Sequence, residues 1–200
     1  MEVGNVIKEA LKRSYTYKEY RDLIDRLFEE GKTTGLTQTE AFLDYTKLGI
    51  RRMKRWDKTA KILANYLSKI KEIDKPQTWV LISEAWCGDA AHALPIIAKL
   101  ADANPLIDLK IVLRDENDEL MDLFLTNGGR SIPKLISYSS VENQVLFTWG
   151  PRPEGAKKVV EDAKAKYGKV TSEAKEALQM WFNKDKGQQI ASEITQLAIR

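Results

Sequence analysis

The chain has 200 residues, 43% hydrophobic and 30% charged, a balance that suits a packed core with attached helices and excludes disordered and fibrous classes. Its 32 basic and 29 acidic residues leave a formal charge of +3, too small to call for a nucleic acid or a membrane as partner. A single cysteine rules out an internal disulfide, and no run approaches the ~18 apolar residues that span a bilayer, so a cytoplasmic protein is expected.

The opening stretch MEVGNVIKEALKRSY lacks the apolar centre of a secretory signal. The first predicted helix runs from Thr16 to Glu30, with Tyr17, Tyr20, Leu23, Ile24, Leu27 and Phe28 at three-and-four spacing and Gly31 as its stop. Thr37 and Glu40 have the spacing of a capping box. A helical stripe follows from Phe42 through Tyr45, Met53 and Trp56 to Ile70, as one long helix or as two broken at Gly49. Lys47, Arg51, Arg52, Lys54, Arg55, Lys58 and Lys61 cluster on it. They read as a solvated helix face, with an anionic docking surface as the alternative. Residues 1–75 form an N-terminal helical extension that Lys75-Pro76 ends.

Trp79-Val80-Leu81-Ile82 is a continuous apolar run that fits a strand buried on both faces. A helical stretch follows from Cys87 to Asp102, and then a second buried strand around Leu109, Ile111, Val112 and Leu113, so strand, helix and strand make a parallel crossover. A helix capped by Asp118 stops at Gly128-Gly129, and two strands meet across a polar turn at residues 141–143 as an antiparallel hairpin. Helices resume near Glu154. Residues 76–168 make one domain and 169–200 a C-terminal helical segment. The fold class is α/β, a central mixed sheet flanked by helices.

Three features sit at meaningful spacing in that order: Trp86-Cys87-Gly88 opens the first helix of the domain, Pro95 follows eight residues after the cysteine, and Ile132-Pro133 leads into the third strand. The pattern resembles thioredoxin over residues 77–167. The run Trp86-Cys87-Gly88-Asp89-Ala90, with the later WGPRP, resembles a bacterial thioredoxin-like subgroup that has WCGDA in place of WCGPC. The resemblance implies that Cys87 is the redox nucleophile, that Pro133 is the family's cis-proline, and that Trp86, Gly88, Asp89, Ala90 and Ile132 shape the site. Arg130 is a candidate contact for a thiolate or an anionic thiol such as glutathione, or a solvated loop arginine.

Two departures limit what the resemblance carries. Ala90 stands where a dithiol thioredoxin has its resolving cysteine, and Leu81 where thioredoxins place a buried acid. Exchange through Cys87 therefore needs an external thiol, or a second subunit, to release the product. A cysteine at a helix N-terminus is expected to have a lowered pKa, because the macrodipole and free N–H groups favour the thiolate. Asp89 opposes this if it turns toward the sulfur, and its net sign is open. His92 lies five residues beyond Cys87, badly placed as its base. With no second cysteine or histidine, no metal site is expected, and no cofactor.

The leading reading is a monothiol redox protein in which Cys87 exchanges with a protein disulfide or a low-molecular-weight thiol. The rival is a non-catalytic thioredoxin-fold module that binds another protein. A homodimer bridged through Cys87 is a testable state of either.

Overall fold

The computed structural model describes residues 2–199, which form nine α-helices and a four-stranded sheet. The predicted Thr16 helix appears as α2 (Tyr17–Glu29), behind an additional helix, α1 (Val3–Leu11). In α1, Val6, Ile7 and Ala10 share the buried face, which a single short stripe in the sequence does not announce. Tyr15, between the two helices, exchanges both backbone hydrogen bonds with Ile111, each 2.8 Å, and covers part of the sheet edge.

The capping box forms at Thr16 and Glu19, not at Thr37 and Glu40. Gln38 explains the second case: its amide accepts from the Thr33 N–H and donates to the Thr33 and Gly35 carbonyls, folding the loop. Helix α3 (Glu40–Thr59) starts beyond it, with the Thr39 hydroxyl accepting from the Phe42 N–H. The helix runs straight through Gly49 and ends instead at Ala60, before α4 (Ala64–Lys71). Gln188 holds that break from the far end of the chain by donating to the Lys61 carbonyl and accepting from the Leu63 N–H.

Strand β1 (Gln77–Ser83) pairs in parallel with β2 (Ile107–Leu113) and antiparallel with β3 (Lys134–Ser139), which pairs antiparallel with β4 (Gln144–Trp149). The order is β2-β1-β3-β4, the mixed sheet expected from the crossover and the hairpin. The central strands β1 and β3 are buried almost throughout, so helices cover both faces. Helix α5 (Ala90–Ala101) connects β1 to β2, and α6 (Asp118–Leu123) precedes β3. After β4 come α7 (Glu154–Tyr167), α8 (Ser172–Asp185) and α9 (Gln188–Ala198). One hydrophobic core runs from Val6 to Ile194 and takes in residues of the sheet and of the added helices. Among the described residues, no helix is long and apolar enough to cross a membrane.

The loops before β3 and after β4 meet at one end of the sheet. Both carry a cis peptide, Ile132–Pro133 and Gly150–Pro151. Gly150 has φ +111°, and a Cβ there would stand 2.3 Å from the Pro133 carbonyl oxygen. Only glycine fits, in conformation and in space. Gly150→Ala is expected to cost on the order of 2 kcal/mol, read as a lower urea midpoint with an unchanged slope.

Candidate functional site

Cys87 lies on the turn between β1 and α5. Its Sγ accepts from the Ala90 N–H at 3.5 Å and donates to the Ile132 carbonyl at 3.4 Å. The sulfur thus sits between the opening of α5 and the loop of Pro133, and the side chain is only 8% exposed. Ala90, buried, presents a methyl group where a resolving thiol would be. Leu81 is fully buried. The buried acid nearest in sequence is Glu84, whose carboxylate accepts from the Asp115 N–H at 2.9 Å and so organises a loop.

The expectation of a lowered thiol pKa is overturned. Burial pushes the Cys87 thiol up to about 12, and the charge of Asp89 adds to the rise; the N–H groups of Ala90 and Asp89 and the Arg152 guanidinium oppose it without winning. Removing a sulfur anion from water costs more here than two N–H dipoles return. Asp89 ion-pairs with Arg152 at 2.5 Å. Its own pKa is nevertheless raised, because burial outweighs both Arg152 and the nearby Arg52.

Above the sulfur lies a cavity of about 650 Å³. Phe42, Tyr45 and Leu48 of α3 supply one part of its lining, and Leu178 and Phe182 of α8 another. Trp86 stacks on Phe42 with ring centroids 4.8 Å apart, and the Arg114 guanidinium lies 4.8 Å from the Trp86 ring. Arg130 also lines the cavity but is paired with Asp118 and Asp122 at 2.6 and 2.7 Å. Its charge is already matched from outside.

A family profile described as thioredoxin matches residues 35–164, more than half of the chain. The chain belongs to the thioredoxin family. The match begins ahead of α3 and ends within α7, so it takes in the α3 lining as well as the sheet. No curated protein matches the chain. Among solved structures, an HIV epitope-scaffold is 17% identical, covering 88% of this chain and 95% of its own, with a TM-score of 0.54. A protein of unknown function from Pseudomonas aeruginosa is also 17% identical, covering 86% of this chain and 98% of its own, with a TM-score of 0.51. At that identity the two show the fold alone.

Two site residues of this thioredoxin-family protein escape the sequence reading. Arg152 stands in the WGPRP run but is not tied there to the cysteine; the fold brings it onto Asp89. Arg52 is grouped with the solvated basic face, yet it lines the cavity and its guanidinium lies beside Gly88, where a Cβ would stand 3.1 Å from it. A signal exists: Arg52 follows Gly49 by three residues and precedes Trp56 by four, which places it on the buried stripe of α3.

His92 is buried. Its Nδ1 accepts from the Trp56 indole N–H at 2.9 Å and its ring stacks on Phe182 at 4.1 Å. Burial, reinforced by Arg52 and Arg55, lowers its pKa to about 3. The imidazole therefore stays neutral in the folded protein while the unfolded one protonates near 6.5, so this contribution to stability is full above about pH 6.5 and is lost as pH falls toward 3. As His92 is the only histidine, its NMR signal is expected to show no titration from about pH 8 to pH 5.

Proposed function

We propose that this protein carries out thiol–disulfide exchange through Cys87 alone, with a low-molecular-weight thiol in place of the resolving cysteine that Ala90 replaces. The observation that supports this best is the placement of the sulfur, between the first N–H of α5 and the carbonyl preceding cis Pro133, against a cavity that admits a small molecule. Cys87 Sγ gives up its proton to solvent and attacks one sulfur of a disulfide RS–SR′. The S–S bond breaks, R′S⁻ leaves and is protonated, and Cys87–S–SR forms. A second thiol, as R″S⁻, attacks the R-bearing sulfur, Cys87 departs and regains a proton, and RS–SR″ is released. The Trp86-Cys87-Gly88-Asp89-Ala90 run supports a place in a monothiol bacterial subgroup. A reducing cytoplasm would supply the thiol.

A thiol with a pKa of about 12 is ionised on the order of one part in 10⁵ at pH 7. Attack by Cys87 is then slow, and so is its departure, because a high-pKa thiol is a poor leaving group. The protein is suited to holding a small thiol as a long-lived mixed disulfide rather than to rapid turnover. The same raised pKa favours a second reading, a non-catalytic thioredoxin-fold binding module in which Cys87 is a neutral lining group.

Iodoacetamide labelling as a function of pH, with Cys87→Ser as the blank, tests the electrostatics. The rate is expected to climb about tenfold per pH unit between about pH 7 and 10 without a plateau. Asp89→Asn removes the second-largest cause of the rise and is expected to label about tenfold faster at a given pH. Incubation with a small disulfide, followed by intact-mass measurement, decides between the two functions. A stable one-to-one adduct at Cys87 supports exchange, and no adduct even at alkaline pH leaves the binding module.

A further inference from the structure

The charges around the cavity do not balance. Arg52, Arg114, Arg130, Arg152 and Lys175 line it against a single acid, Asp89. Three of the five cations are already matched: Arg114 by Asp115 at 2.7 Å, Arg130 by Asp118 and Asp122, and Arg152 by Asp89. Arg52 has neither an ion-pair nor a side-chain hydrogen-bond partner among the described residues, although it is half-buried and burial lowers its pKa. Lys175 is exposed at the rim.

The unsatisfied donors point the same way. Arg52 Nε, Arg152 Nε and Trp86 Nε1 are buried without a partner, and all three belong to residues that line the cavity. A buried donor left unpaired costs free energy, and native structures leave few. The lining thus offers one guanidinium without an anion, next to the aromatic rings of Phe42 and Trp86. A volume of about 650 Å³ lies in the ordinary range for small-molecule sites. A bare inorganic anion would leave the apolar surfaces of Phe42, Leu48 and Leu178 uncovered.

We propose that this cavity binds small organic anions, with Arg52 as the anchor for a carboxylate or similar group, and that it thereby directs Cys87 to anionic low-molecular-weight disulfides. The second clause rests on the exchange reading; the binding itself does not. The Arg52 guanidinium lies against Gly88, the residue that follows Cys87, where a Cβ would stand 3.1 Å from it. A disulfide whose anionic group meets Arg52 is held with its aromatic or aliphatic body against Phe42 and Trp86. The Arg52 contact is a binding and specificity contact and takes no part in bond breaking.

Binding is measured first without the thiol, by calorimetric titration of Cys87→Ser with 5,5′-dithiobis(2-nitrobenzoate), an anionic aromatic disulfide, and with neutral 4,4′-dithiodipyridine. The anionic probe is expected to bind at least about tenfold more tightly, with the preference falling as salt rises. Adding Arg52→Gln is expected to remove the preference and adding Arg52→Lys to keep part of it. The salt dependence stands even where Arg52→Gln fails to fold. Equal binding of the two probes, or a preference untouched by both salt and Arg52→Gln, overturns the proposal. The reaction rates of wild-type Cys87 with the two disulfides, each divided by its rate with a neutral model thiol, are then compared. An anionic preference of about tenfold that Arg52→Gln abolishes supports the substrate class. Reaction with both at equal normalised rates overturns it and leaves the exchange reading intact. Anion binding by Cys87→Ser with an unreactive wild-type thiol keeps the anion site and overturns exchange.

Discussion

Helix α3 lies close against the turn ahead of α5 at Gly49: a Cβ there would stand 3.1 Å from the Ala85 carbonyl oxygen, tighter than most such contacts, and 3.7 Å from the Ala91 methyl. The same face of α3 carries Phe42 seven residues before Gly49, Arg52 three after and Trp56 seven after. At helical spacing the four lie on one side. The close approach therefore sets Phe42 on Trp86, Arg52 on Gly88 and Trp56 on His92 together.

Enclosure changes the chemistry of the thiol. A helix N-terminus stabilises an adjacent anion by a few tenths to about 2 kcal/mol, whereas taking a charge out of water costs several. At Cys87 the second effect prevails, and Asp89 reinforces it. Arg152 is too occupied with Asp89 to compensate the sulfur. Arg114 and Arg130 are likewise paired with acids, which is why a site rich in arginine still holds a protonated cysteine.

Much of the fold was legible because its signals are local. The apolar runs of β1 and β2, the polar turn of the hairpin and the stop at Gly31 each follow from neighbouring residues. What escaped depends on contacts distant in sequence. The break after Thr59 is held by Gln188, 125 residues or more away, and Gly49 interrupts nothing because it serves a helix-to-turn contact. At the site, the residue types around Cys87 were legible as a motif, but the direction of its pKa was not. The motif determines the dipole, while the enclosing residues Phe42, Leu178 and Phe182 come from segments that periodicity describes only as amphipathic helices. Arg52 was hidden for the same reason: a charged residue in an otherwise apolar stripe reads as surface until the opposing wall is known.

The missing second thiol and the added helical walls fit together physically. With Ala90 in place of a resolving cysteine, a mixed disulfide at Cys87 is open to attack only by a thiol that enters the cavity. Helices α3 and α8 line that cavity, so under the proposed exchange the residues that select what forms the adduct would also limit what resolves it. A raised thiol pKa slows both directions by a common factor and leaves their equilibrium to the two small thiols concerned. On the proposed exchange, selection by the cavity rather than activation of the sulfur would set this chain apart from a dithiol member of its family.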